Sequence, residues 1–127
     1  MARVLIIESD KLLAANIQDF LAAAGHQAHW EVELQAALDA IDNFKPDVLV
    51  LDLLLAGRSG VEFLYEVRSY PDWENLPVII FSSVAGAELG QLAPDGLDHL
   101  GIDAYHHKTA HTLAELGQTI NHLLQPA

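Results

Sequence analysis

The sequence predicts an α/β domain built on a doubly wound, five-stranded parallel sheet. Three observations point that way. Short, continuous apolar runs recur at Val4-Leu5-Ile6-Ile7, Val48-Leu49-Val50-Leu51 and Val78-Ile79-Ile80-Phe81, as expected of parallel strands covered on both faces. Segments with apolar residues at helical spacing separate these runs, so strands and helices alternate. Right-handed crossovers then put helices on both faces and bring the carboxyl ends of all strands to one edge.

The elements follow in order. Val4 to Ile7 forms the first strand. Leu13, Ile17, Phe20, Leu21 and Ala24 mark a helix from about Asp10 to Ala24, with Gly25 as its stop. His26 to Val32 is a weaker strand. Leu34, Leu38 and Ile41 mark a second helix ending near Asn43, ahead of Lys45-Pro46. Asp47 to Asp52 is the third strand, and Gly57 and Gly60 punctuate the turn after it. Val61, Leu64, Tyr65 and Val67 give a third helix closed by Pro71, and Trp73 falls in the following loop. The fourth strand is Val78 to Phe81. A fourth helix is expected over Val84 to Leu100, but Gly86, Gly90, Pro94 and Gly96 shorten or break it. Asp103 to His107 is the fifth strand, and Leu113, Leu116, Ile120, Leu123 and Leu124 mark a closing helix.

Composition narrows the function. The chain has 127 residues, 51% of them apolar, and a formal charge of −12 with only six Lys and Arg. That balance repels nucleic acid and anionic membrane surfaces and leaves proteins as the expected partners. Without cysteine there is no thiol catalysis, zinc–thiolate site or disulfide. The seven histidines are scattered, and adjacent His106 and His107 would point to opposite faces of a strand. No apolar run approaches the roughly 20 residues of a membrane span, and the start is too short for a signal-peptide core. The expectation is a soluble, cytoplasmic single domain over residues 1–127 that ends just after its closing helix.

Four strand ends carry chemistry. They are Glu8-Ser9-Asp10, Asp52, Ser82 and Lys108. Each has a plain alternative: a turn opener for Asp52, a helix cap for Asp10 and for Ser82, and a solvated surface side chain for Lys108. The topology argues for more, because it brings all of them to one rim. Acids concentrated there with only Lys108 as counter-ion call for a cation, and hard oxygen ligands suit Mg2+. Asp52 could then act as a nucleophile and form an acyl phosphate, with the Ser82 hydroxyl and the Lys108 ammonium holding phosphoryl oxygens. Glycines that would cradle a flavin phosphate, or a Gly-x-Ser-x-Gly nucleophile, are missing.

This pattern resembles the receiver domain of two-component response regulators, the CheY-like family, over essentially the whole chain. The resemblance lies in the acids after the first strand, in Asp52 after Pro46-Asp47-Val48-Leu49-Val50-Leu51, in Ser82 after Pro77-Val78-Ile79-Ile80-Phe81, and in Lys108 after Gly101-Ile102-Asp103-Ala104-Tyr105. It implies a flavodoxin-like (βα)5 fold and a signalling role, not catalysis on other substrates. A histidine kinase or phosphotransfer protein would phosphorylate Asp52. Mg2+ would be held by Glu8, Asp52 and the backbone carbonyl of Leu54, with Ser9 or Asp10 open as a further ligand. Ser82 and Tyr105 would form the switch that remodels the face of the fourth helix, fifth strand and fifth helix for a downstream protein target. A homodimer also stays open.

The sequence also departs from the family. Ser9 stands where a second adjacent acid is usual, and Asp10 comes one residue late. Thr109 follows the lysine where proline is usual, and Ala56 replaces a frequent proline after Asp52. An alternative is therefore a degenerate receiver that binds partners without phosphorylation.

Overall fold

A computed structural model describes residues 2–55, 58–83, 100–108 and 112–124. The strands are β1 (Arg3–Ile7), β2 (Gln27–Glu31), β3 (Val48–Leu51), β4 (Leu54–Leu55), β5 (Arg58–Ser59), β6 (Val78–Ser82) and β7 (Ile102–His107). The helices are α1 (Lys11–Ala23), α2 (Leu34–Phe44), α3 (Gly60–Arg68) and α4 (Leu113–Leu123), with a 3-10 turn over Pro71–Trp73. Five strands form the expected parallel sheet in the order β2-β1-β3-β6-β7. Winding therefore runs outward in both directions from β1 and β3, and the switch point lies between them. The fourth helix expected over Val84 to Leu100 falls on residues 84–99, outside the described residues, as do Ala56, Gly57 and Thr109.

Both faces of the sheet are covered, which explains the continuous apolar runs. Leu5, Ile7, Leu49, Leu51, Val78 and Ile80 pack with Leu38 and Ile41 of α2 and with Val61, Leu64 and Val67 of α3. Val4, Ile6, Val48, Val50, Ile79 and Phe81 turn to the other side, against Ile17 and Leu21 of α1 and Leu116 and Ile120 of α4. Alternation of adjacent strand residues between the two cores is the period-2 geometry of a strand.

Helix ends follow the residue chemistry. Asp10 is the N-cap of α1, its Oδ1 accepting from Leu13 N at 3.1 Å. Gly25 takes φ +90° just past the helix end, the role expected of it. Thr112 and Glu115 form a reciprocal capping box at the start of α4.

Two features lie beyond the expected pattern. A small antiparallel pair, β4 with β5, occupies the segment between β3 and α3 that the sequence suggests is only a turn. In β7, a register shift opposite Val78 and Ile79 leaves Asp103 bulged, and its Oδ2 accepts from Val78 N at 2.9 Å. Arg68, at the end of α3, ties the chain entering β7 to the body of the domain. Its guanidinium donates to the carbonyls of Leu100 at 2.7 Å, Trp73 at 2.7 Å and Gly101 at 3.0 Å. Burial lowers the pKa of that guanidinium, and Asp103 partly opposes the effect.

Candidate functional site

The sheet register delivers the site. Ile7 pairs with Leu51 across β1 and β3, and Asp52 N donates to Ile7 O at 2.9 Å, so Glu8 and Asp52 leave adjacent strands side by side. Lys108 N donates to Ser82 O at 2.9 Å, which carries the lysine beyond β7 toward the same rim. Residues separated by up to 100 positions in the chain meet there.

Lys108 Nζ lies 2.9 Å from Glu8 Oε1 and 3.0 Å from Asp52 Oδ2, bridging the two acids. Asp52 Oδ1 accepts from Ser82 Oγ and from Leu54 N, each at 3.0 Å. Glu8 Oε2 accepts from Asp10 N at 3.0 Å. Glu8 and Asp52 are 2% and 3% exposed and Ser82 is fully buried, so these charges interact in a poorly solvated environment. Burial raises the Glu8 carboxyl above its ordinary pKa, and Asp52 adds to that rise, while the Asp10 N–H and Lys108 oppose it. For Lys108, burial alone would lower the ammonium, but its bonds to Glu8 and Asp52 outweigh that and hold it above the usual lysine value.

Other candidate residues lie differently. Ser9 is exposed, and its Oγ donates to Leu54 O at 3.2 Å. Asp10 is exposed and spends its carboxylate on the α1 cap. Tyr105 is partly buried on β7, opposite Ile80, and packs against the α2–α3 core. Among the described residues no third Asp, Glu, His or Cys joins Glu8 and Asp52 in a cluster able to hold a metal. Two carboxylates and one ammonium still leave net negative charge at the rim. Glu8, Asp52 and the Leu54 carbonyl are hard oxygen donors of the kind Mg2+ takes alongside several waters, so the residues fit that ion.

Two supporting residues were not legible as such. Trp30 Nε1 donates to Glu8 O at 2.7 Å, fixing the backbone that carries the carboxylate. Gly60 lies where an added Cβ would come within 2.6 Å of Asp52 O and 2.9 Å of Leu53 Cα. The sequence marks Gly60 only as a turn residue; its contact is visible only in three dimensions.

A group whose folded pKa is raised stabilises the fold below its unfolded pKa and loses that contribution as pH rises through the folded value. Glu8→Gln should therefore stabilise the protein at pH 7, seen as a higher Tm. The advantage should close below the ordinary glutamate value of 4.5, where both side chains are neutral. Thermal melts across pH 3 to 8 check this; a lower Tm for the variant at pH 7 would show that pairing with Lys108 outweighs burial.

Comparison with known proteins adds a family to this geometry. A family model described as response regulator receiver domain matches residues 4–117. Protein Rrf1 of Nitratidesulfovibrio vulgaris is 33% identical over 88 residues, which cover 69% of this chain and 64% of that protein. The matched region thus spans under two thirds of that relative. Among solved structures, the receiver domain of the Francisella response regulator 1452 is 28% identical with a TM-score of 0.81, covering 97% of this chain and 96% of that one. Vibrio cholerae chemotaxis protein CheY4 shares the fold at 20% identity and a TM-score of 0.84, covering 98% and 99% of the two chains.

Proposed function

The chain belongs to the response regulator receiver domain family of two-component systems, and from that premise we propose that Asp52 accepts a phosphoryl group from a phosphohistidine donor. The supporting observation is the Lys108 ammonium set 3.0 Å from the carboxylate of Asp52, while Ser82 Oγ donates to that same carboxylate. A carboxylate oxygen of Asp52 attacks phosphorus, the P–N bond to the donor imidazole breaks, and its electron pair stays on the ring nitrogen. Lys108 Nζ then pairs with a phosphoryl oxygen, and Ser82 Oγ, released from Oδ1, donates to another. Leu54 N remains on Oδ1 and keeps the carboxylate oriented. Glu8, Asp52 and the Leu54 carbonyl would hold Mg2+, which when bound offsets the charge of the incoming phosphoryl oxygens.

The partner supplying the phosphoryl group is a histidine kinase or phosphotransfer protein, and the output is a protein target. Movement of Ser82 toward the phosphoryl group would be felt by β7, whose Tyr105 and His107 pair in register with Ile80 and Ser82. Incubation with acetyl phosphate and Mg2+ tests the core of this reading by intact mass. The wild type should gain one phosphoryl mass as acetate leaves, and Asp52→Asn should gain none. Equal labelling of both would place the phosphoryl group on another residue, and labelling of neither would favour an interaction module that needs no phosphorylation; either result would count against Asp52 as the acceptor.

A further inference from the structure

We propose that Ser9 competes with a divalent cation for the Leu54 carbonyl and so weakens metal binding at the site, a role that rests on the metal-dependent reading above. Ser9 Oγ donates to Leu54 O at 3.2 Å and joins the β1–α1 loop to the segment after β3. The carbonyl does not need that bond to stay in place. Leu54 N donates to Asp52 Oδ1 at 3.0 Å, Gly60 N donates to Leu53 O at 2.9 Å, and Leu54 pairs with Ser59 in the small hairpin. The backbone around Leu54 is thus fixed from its own side of the cleft, and the serine is an added claimant on an oxygen already positioned.

A cation approaching that oxygen meets the hydroxyl proton, which carries partial positive charge. The hydroxyl must turn away and give up its bond before the carbonyl can serve fully as a ligand. Nor does residue 9 return any negative charge. Asp10, the neighbouring acid, has its Oδ1 on Leu13 N at 3.1 Å, and its own N–H is given to Glu8 Oε2 at 3.0 Å. The cation would therefore meet two carboxylates, both already bonded to Lys108.

The test is a Mg2+ titration of 15N-labelled protein. It follows the Trp30 indole N–H, which donates to the Glu8 carbonyl at 2.7 Å, with the Trp73 indole as the in-molecule reference. Ser9→Ala should lower the apparent Kd roughly two- to fivefold, because an exposed neutral hydrogen bond lies toward the low end of measured values. Ser9→Asp should lower it further by adding a carboxylate. A Kd that rises or stays constant in Ser9→Ala would overturn the competition and make the hydroxyl a ligand or a bystander. No Mg2+-dependent shift in any of the three proteins would overturn the metal-dependent reading itself, and the competition with it.

Discussion

Lys108→Met should slow phosphorylation of Asp52 by acetyl phosphate about a hundredfold, the usual loss when one preorganised charge-stabilising donor is removed from a reacting centre. Two effects act together. The ammonium bridges Glu8 and Asp52 at 2.9 to 3.0 Å, so its removal leaves two nearly buried carboxylates facing each other without a counter-ion. Their mutual repulsion then works against the approach of a further anionic group. The incoming phosphoryl oxygens also lose the cation that would meet them. Lys108→Arg separates the two effects. It keeps the charge but replaces a compact ammonium with a planar fork, so it should restore the folded pair better than the rate. Initial rates by intact mass at fixed Mg2+ give the answer. A Lys108→Met rate within threefold of wild type would remove the ammonium from the proposed chemistry.

Gly60→Ala should both destabilise the fold and disturb the acceptor. An alanine Cβ there would meet Asp52 O at 2.6 Å and Leu53 Cα at 2.9 Å, and both are backbone atoms that cannot swing aside. Gly60 is also the first residue of α3, and its N–H donates to Leu53 O at 2.9 Å, so any retreat of the helix breaks that bond. Overpacking of this kind costs about 1 to 3 kcal/mol. Because Asp52 itself must move, the phosphorylation rate should fall at least tenfold, in line with the sensitivity of reacting centres to small misplacements. Urea denaturation and the acetyl phosphate assay read the two effects separately. Wild-type stability together with a wild-type rate would mean that the close approach can be relaxed without consequence.

Elements with a strong local signature were legible. Continuous apolar runs and helical spacing depend on how successive side chains alternate or spiral, and these are properties of the chain itself. β3 and β6 sit where the runs place them, and α1 spans nearly the predicted residues, from its Asp10 cap to just before Gly25. β2 is shorter than expected, Gln27–Glu31; it is an edge strand that pairs on one side only, and all its residues but the exposed Gln27 are half-buried. The hairpin of β4 and β5 left no trace, since two-residue strands are too short to show a period.

The meeting of Glu8, Asp52, Ser82 and Lys108 at one rim follows from alternating strands and helices with a fixed crossover hand, so the amino-acid sequence alone determined the fold class and the candidate cluster, while the strand order β2-β1-β3-β6-β7 came from the tertiary structure. Only the tertiary structure decided where individual polar atoms spend their hydrogen bonds: Asp10 on the α1 cap, Ser9 on the Leu54 carbonyl, Arg68 on three carbonyls, and Gly60 against the backbone of Asp52. The physical reason is range. Periodicity is set by neighbours along the chain, whereas a hydrogen bond or a steric contact is set by whichever group folding brings within about 3 Å.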